Sequence, residues 1–358
     1  MKKTYYLLAV LLAVVVYVAT AYALTAEEML LLKRGGISDE KILEIQRKEG
    51  SAPVPKINPF DWNEDGKKDI ISGSYIGCIF VYLNTGTNLQ PIFDEPTIKF
   101  PYIEPASEFL LTFLRYPYLV DWNNDGKKDL VLGQGSGEVA VFINLGSNQQ
   151  PLFSGPWGFY AGMAPYIRLN NGDLDVGFNS SPTMVDWNGD MKKDLVVGNS
   201  SGNVFVFLNT GIDSAPEFSS DGIKTSIEVP GMATLFTVDW NNDGKFDIVS
   251  GSEDGKVYIF INKGDSKNPK FGKAQTLQIN NKELKLPSPT SVIAGDWDDD
   301  GKIDLLISNK ETIEKDPGGR ENIISLGIYL LLNTGTKEKP EFKELKEIKG
   351  KFRDDTVL

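Results

Sequence analysis

One acidic phrase is written five times in this chain. It reads "DWNEDGKKDI" at 61–70, "DWNNDGKKDL" at 121–130, "DWNGDMKKDL" at 186–195, "DWNNDGKFDI" at 239–248 and "DWDDDGKIDL" at 296–305. A self-similar period restricts a chain to folds made by stacking copies of one small unit. Each phrase runs into an apolar strand such as "DLVVG" (194–198). A glycine-containing turn follows, then an alternating strand such as "NVFVFLN" (203–209). That strand ends in a tight turn: Asn84-Thr85-Gly86, Asn144-Leu145-Gly146, Asn209-Thr210-Gly211, Asn262-Lys263-Gly264 or Asn333-Thr334-Gly335. Seven residues after each Asn stands a proline (Pro91, Pro151, Pro216, Pro269, Pro340), and two further on a phenylalanine (Phe93, Phe153, Phe218, Phe271, Phe342). With a strand such as "PTMVDW" ahead of the loop, each unit holds about four short strands. Such units predict an all-β fold, a β-propeller of five four-stranded antiparallel blades over residues 56–350.

The offsets divide the loops into two sets. From first Asp to turn Asn is 23 residues in four units and 37 in the fifth, an insertion of 14 around "ETIEKDPGGRENII". From Phe to the next first Asp the spacing runs 28, 33, 21, 25. With strands named a to d outward from the axis, the acidic loop joins a to b and the Asn-Gly turn joins c to d. Antiparallel order puts both on one face. All length variation then falls on the opposite face, where binding is expected to reside.

The acidic loop has the spacing D-x-[ND]-x-D-G-x-x-D. Oxygens at positions 1, 3, 5 and 9, with a backbone carbonyl at 7, make a hard-oxygen cage suited to calcium. The expected ligands are Asp61, Asn63, Asp65, Asp69; Asp121, Asn123, Asp125, Asp129; Asp186, Asn188, Asp190, Asp194; Asp239, Asn241, Asp243, Asp247; and Asp296, Asp298, Asp300, Asp304, about five sites in all. Position 12, a Glu in an EF-hand, is Ser72, Leu132, Val197, Ser250 or Ile307, which rejects a helix-loop-helix site. Metal-free Asx turns are the alternative, but clustered carboxylates repel unless something neutralises them. The third loop has Met191 where the others have Gly66, Gly126, Gly244 and Gly301. Position 2 is always Trp (Trp62, Trp122, Trp187, Trp240, Trp297), read as a packing wedge between blades. Position 7 is always Lys, its side chain expected in solvent.

These loops resemble those of FG-GAP/VCBS-type repeats, the calcium-binding blades also found in integrin α-subunit propellers. The resemblance covers about 54–345 and implies a β-propeller with calcium in the a–b loops, in an exported protein used for adhesion or ligand binding. The family commonly builds seven blades, where five are counted here.

Composition narrows the function. The net charge of −12 argues against nucleic acid and suits a chain that collects cations. The absence of histidine removes Ser-His-Asp and Cys-His nucleophiles and imidazole metal sites. One cysteine, Cys78 in "CIFVYL", allows no internal disulfide and reads as a buried strand residue. Lys2 and Lys3, the uncharged stretch from Tyr5 to Ala19 and Ala21-Tyr22-Ala23 read as a signal peptide over 1–23, or else an uncleaved anchor, so the rest is expected in the periplasm, at the cell surface or secreted. Residues 24–50 read as a helical hairpin, 51–55 as a stiff linker and 351–358 as a tail.

The expected function is a non-catalytic, calcium-stabilised binding or adhesion module. Its protein or carbohydrate partner is expected on the variable face, where Tyr102, Phe109, Arg115, Tyr116, Trp157, Tyr160 and Tyr166 would make an aromatic surface or else fill gaps between blades. The rival is a glycoside hydrolase or polysaccharide lyase relying on carboxylates such as Asp173 and Asp175, Glu104 and Glu108, or Glu253 and Asp254. A structural component of a surface assembly is the third class.

Overall fold

The apolar runs after each acidic phrase become strands buried on both faces, because each is sandwiched between neighbouring units. The computed structural model describes residues 57–350 and Phe352, apart from 74–78, 95, 97, 101–113, 154–166, 170–171, 214, 219–221, 266–267, 288 and 316–320. The signal peptide, hairpin and linker expected over 1–55 lie outside the described residues, as does Cys78. Among the described residues the regular structure is strand throughout, with no helix.

Sheet one is β1 (Ile57–Phe60), β2 (Asp69–Gly73), β3 (Ile79–Tyr82) and β4 (Ile98–Phe100). Sheet two is β5 (Leu114–Val120), β6 (Asp129–Gln134) and β7 (Val139–Phe142), with Ile167 hydrogen-bonded to Val139 at its outer edge. The hairpin β8 (Arg168–Leu169) and β9 (Gly172–Asp173) follows. Sheet three is β10 (Ser181–Val185), β11 (Asp194–Gly198), β12 (Asn203–Phe207) and β13 (Ile223–Glu228). Sheet four is β14 (Thr234–Val238), β15 (Asp247–Gly251), β16 (Val257–Phe260) and β17 (Gln275–Thr276), followed by the hairpin β18 (Gln278–Ile279) and β19 (Lys282–Glu283). Sheet five is β20 (Thr290–Gly295), β21 (Asp304–Lys315), β22 (Glu321–Leu331) and β23 (Lys346–Glu347). All pairings within these sheets are antiparallel, in sequence order.

The first strands pack in cyclic order: β1 on β5, β5 on β10, β10 on β14, β14 on β20, and β20 back on β1. The five sheets therefore form a closed propeller. Its core is a set of slabs between adjacent sheets rather than one central cluster. Trp62 joins Leu130 and Leu132 between sheets one and two, and Trp297 joins Ile70 and Phe80 between sheets five and one. The centre is filled by side chains. Tyr118 of β5 meets Phe236 of β14 with ring centroids 6.2 Å apart, and Tyr116 donates its hydroxyl to Met232 Sδ at 3.0 Å. Sheets two and four are not ring neighbours, so the Tyr118–Phe236 contact crosses the middle, while Met232 lies in the connection between sheets three and four.

Trp and Phe of the repeat meet across blade boundaries, as the wedge reading expects. Trp122 lies 6.1 Å from Phe218, Trp187 6.0 Å from Phe271 and Trp240 6.0 Å from Phe342, centroid to centroid. Trp62 shares a cluster with Phe153, and Trp297 with Phe93. Each Trp thus packs on the Phe of the next sheet, and the series closes from five to one. Beyond β23 the chain crosses onto sheet one. Gly350 bridges Phe93, and Phe352 sits 5.1 Å from Tyr82 and 5.7 Å from Phe93 between ring centroids. Phe352, assigned from sequence to a tail, is part of the propeller.

The insertion in the fifth unit is a continuation of the ladder. β21 and β22 stay paired from Leu305↔Leu331 out to Lys315↔Glu321, against strands of four to six residues at the same place in the other sheets.

Candidate metal centre

Each acidic loop is wound on its own side chains. In the second, Asp121 Oδ1 accepts the Asp125 N–H at 3.0 Å and its Oδ2 that of Gly126 at 2.9 Å. Asn123 Oδ1 also accepts the Asp125 N–H, at 3.1 Å, and Asp125 Oδ1 accepts that of Lys127 at 2.9 Å. The same bonds recur around Asp61, Asn63 and Asp65; Asp186, Asn188 and Asp190; Asp239, Asn241 and Asp243; and Asp296, Asp298 and Asp300. This winding needs two left-handed residues per loop, at positions 4 and 6. They are Glu64 and Gly66, Asn124 and Gly126, Gly189 and Met191, Asn242 and Gly244, Asp299 and Gly301. The third loop has its glycine at position 4, so Met191 bends at φ 67° with its side chain almost fully exposed.

The position-9 aspartate is buried in all five loops. Its Oδ2 accepts the Trp N–H and its Oδ1 the N–H of the turn Asn. For Asp69 these distances are both 2.7 Å, for Asp129 2.8 and 2.7 Å, and for Asp194 2.9 and 2.7 Å. For Asp247 they are 3.0 and 2.7 Å, and for Asp304 both are 2.8 Å. The acidic loop and the Asn-Gly turn therefore share one face and are stitched together through a single carboxylate. Burial raises these carboxyls above the usual range and outweighs the two N–H bonds, pushing Asp194, Asp247 and Asp304 up to about 6.

The position-7 lysine is not free in solvent as the sequence suggests. Lys67 Nζ donates to Asn84 O at 3.4 Å and lies 3.5 Å from Asp65 Oδ2, and Lys127, Lys192, Lys245 and Lys302 pair with the position-5 aspartate likewise. Position 8 carries a second tie that sequence reading missed. Lys68 pairs with Asp299 of the fifth loop at 3.0 Å, Lys128 donates to Asp61 O of the first at 3.1 Å, and Lys193 donates to Asn124 of the second. The loops of adjacent blades are thereby cross-linked, a signal that lay in the Lys-Lys pair of three of the five phrases.

Oxygens held by one calcium at about 2.3–2.6 Å can be no more than roughly 5 Å apart. In the fifth loop Asp296, Asp298 and Asp304 each offer an oxygen within 4.8 Å of the others, so positions 1, 3 and 9 converge as a cation requires. Asp300, at position 5, is turned to Lys302 at 2.6 Å, and that ammonium holds its carboxyl low. In the other four loops position 3 is an amide whose Nδ2 donates to the position-5 carboxylate. The acidic cluster and the repeated aspartate loops are consistent with calcium, and the fifth loop gathers its ligands best.

Of the expected partner surface, Tyr102, Phe109, Trp157, Tyr160 and Tyr166 lie outside the described residues. Arg115 falls within β5. Tyr116 is fully buried at the centre of the ring and has no surface to offer a partner, a correction to its sequence reading. Among the carboxylates weighed for catalysis, Glu104 and Glu108 lie outside the described residues. Asp173 falls in β9, and Asp175 accepts the Gly177 N–H at 2.8 Å. Asp254 accepts the Tyr258 hydroxyl at 2.7 Å. Burial and that bond push the Tyr258 phenol up to about 12, so it stays protonated near neutral pH.

Residues 186–250 and 239–307 match the FG-GAP-like repeat. Cartilage acidic protein 1 of Xenopus tropicalis is 28% identical over 117 residues, which is 32% of this chain and 17% of that protein. The chain therefore spans only a small part of that relative's length. Among solved structures, the α-L-arabinofuranosidase CtGH43 from Clostridium thermocellum aligns over 82% of this chain and 93% of its own, at 11% identity and a TM-score of 0.43. BBS1N in complex with ARL6DN, soaked with lead, aligns over 80% and 78%, at 13% identity and a TM-score of 0.35. Likenesses this distant carry no argument about function. With the loops, the sheets and the sequence match in place, the chain carries FG-GAP-like repeats and is a distant homologue of cartilage acidic protein 1.

Proposed function

We propose that the protein is an exported binding module without catalytic activity, stabilised by calcium in its five acidic loops. Its protein or glycan partner sits on the face opposite those loops. The observation that carries this reading is the division between the two faces. One face is locked blade by blade through the buried position-9 aspartates. The other bears every change of loop length, including the extended β21–β22 hairpin. A face released from scaffold duty is free to specialise. Deleting 312–323 tests this. Partner capture should be lost while the calcium-dependent rise in melting temperature persists, and capture that survives the deletion at full strength would count against the reading.

One observation favours the assembly reading as a second. Among the described residues, six of the seven exposed large apolar side chains lie on the loop face of sheets one to three: Leu89, Ile92, Leu145, Leu152, Met191 and Ile212. In the slot of Ile92 and Leu152, sheets three, four and five carry Glu217, Lys270 and Glu341. An apolar arc on three contiguous blades suits packing against another folded surface. Replacing Leu145 and Leu152 with Lys should then abolish concentration-dependent self-association seen by light scattering.

A further inference from the structure

The third acidic loop moves its glycine from position 6 to position 4, and the move creates an Asn-Gly pair. Its phrase reads Asn188-Gly189-Asp190-Met191, whereas the position-3 amides of the first, second and fourth loops are followed by Glu64, Asn124 and Asn242. Asparagine is among the thermolabile side chains. Its amide carbon is open to attack by the backbone nitrogen of the following residue, and a glycine there hinders the approach least. The chain's other Asn-Gly pair, Asn171-Gly172, has its first residue outside the described ones.

The loop presents both reacting atoms. Asn188 Oδ1 accepts the Asp190 N–H at 2.9 Å, against 3.2, 3.1 and 3.2 Å for the same bond at Asn63, Asn123 and Asn241. Such an Asx turn folds the side chain back over its own peptide bond. The donated N–H also draws electrons from the amide carbon. The winding of the loop uses the N–H groups of Asp190, Met191 and Lys192 and leaves that of Gly189 without a partner among the described residues. Gly189 is exposed and Asn188 half-buried, so water reaches the pair. The Asp-Gly pairs at positions 5 and 6 of the other four loops are the contrast. There the nitrogens of Gly66, Gly126, Gly244 and Gly301 donate to the position-1 aspartate at 2.8, 2.9, 2.8 and 2.9 Å, and those bonds hold them from attack.

We propose that Asn188 is a site of spontaneous deamidation that remodels the third loop as the protein ages. The Gly189 nitrogen forms a bond to Asn188 Cγ, the Cγ–Nδ2 bond breaks, and the side-chain nitrogen leaves as ammonia with the proton of the Gly189 N–H. A succinimide ring is left, and water opens it at either carbonyl. Breaking the Cγ–N bond leaves aspartate, which gives the third loop the position-3 carboxylate that Asp298 gives the fifth. Breaking the other C–N bond leaves isoaspartate, whose main chain runs through Cβ and Cγ and is longer by one methylene, so the winding of the loop is broken. Either product adds one negative charge, and the step consumes only water.

The test is storage of the purified full chain in mildly alkaline and mildly acidic buffers, with peptide mass spectrometry to follow conversion of each amide and isoaspartyl methyltransferase to detect isoaspartate. Conversion at Asn188 should outrun that at Asn63, Asn123 and Asn241 by at least about tenfold. It should be faster in the alkaline buffer, because the attacking nitrogen must lose its proton. Gly189→Glu copies the first loop, where Glu64 adopts φ 61°, so it keeps the left-handed turn. It should slow conversion at Asn188 by at least about tenfold. No conversion at Asn188, conversion no faster than at the other three amides, or an equal rate in Gly189→Glu overturns the proposal.

Discussion

Asp304 Oδ1 accepts the N–H of Asn333 at 2.8 Å although 29 residues separate them, whereas the equivalent pair in each of the other blades is 15 apart at 2.7 Å. The fifth-blade insertion thus leaves the joint between loop and turn untouched, because the extra residues leave through the far ends of β21 and β22. The joint is the element that every blade keeps.

Removing it should be costly. In Asp129→Ala the N–H groups of Trp122 and Asn144 lose their acceptor in a buried place. Each unsatisfied donor costs about 1–3 kcal/mol, so a loss of about 2–6 kcal/mol is expected in urea unfolding, even in EGTA. Lys127→Met breaks a half-exposed pair and should cost under about 1 kcal/mol. Equal losses in the two variants would remove the joint from its central place.

The buried aspartates also set the pH response of the metal-free protein. Burial holds Asp194, Asp247 and Asp304 at about 6, against the ordinary aspartate value of 3.8. Between those values the folded state binds more protons than the unfolded state, so stability falls as pH rises. The contribution is fully present below 3.8 and is lost as pH passes about 6. In EGTA the melting temperature should therefore be higher at pH 5 than at pH 7. Calcium needs the ionised form, so the rise in melting temperature it gives should shrink as pH falls from 7 to 5. A metal-free protein that melts lower at pH 5 than at pH 7 would contradict the assignment.

Calcium affinity should differ between loops. Sites of this extracellular kind bind at about 10⁻⁴–10⁻³ M, and at tenfold excess over Kd each adds roughly 1.4 kcal/mol. Asp304→Ala should lose more affinity than Asp194→Ala, because the fifth loop has one more carboxylate and gathers three of them. Met191→Gly should stabilise the protein by about 1 kcal/mol by relieving a left-handed side chain. Thermal melts in calcium and in EGTA would check both.

Much of this architecture is legible in the sequence alone. The repeat-invariant Trp reads as a wedge between blades, and antiparallel strand order puts the acidic loop and the Asn-Gly turn on one face. What escaped was long-range or depended on the narrow centre. Tyr116 looked like surface because the stretch around it is rich in aromatics. In a five-bladed ring the first strands stand close enough for Tyr118 to meet Phe236 of a non-adjacent blade, and Tyr116 of the same strand reaches Met232 in the connection between sheets three and four. Met191 was legible as a departure, but its partner change, glycine moving to position 189, needed the dihedral angles to show that two left-handed positions exist. Phe352 belongs to no repeat slot, and its aromatic partners, Tyr82 and Phe93, lie more than 250 residues away.

The Trp–Phe contacts predict a ring order that energetics can check. Trp122 packs on Phe218 of the next blade. A double-mutant cycle between them should give a coupling of about 0.5–1.5 kcal/mol. Between Trp122 and Phe153, the phenylalanine of its own unit, coupling should be negligible. The reverse pattern would mean that the blades stack in another order.

Closure of the ring can be tested at its last residues. Sheet five meets sheet one through Trp297, whose Nε1 donates to Asn88 O at 2.6 Å, and through Ile348 and Phe352 against Tyr82 and Phe93. Phe352→Ala removes a buried ring and should cost about 3–5 kcal/mol. Ending the chain after residue 345 removes β23 as well, so that Tyr82 and Phe93 lose their cover at the seam. That truncated protein should melt at lower temperature and bind a hydrophobic dye, with amide exchange quickened first in β1 to β3 and β22 rather than in sheet three. Uniform loosening of all five sheets would show that the seam is no weaker than the other joints. An unchanged melt would show that the ring closes without its final strand.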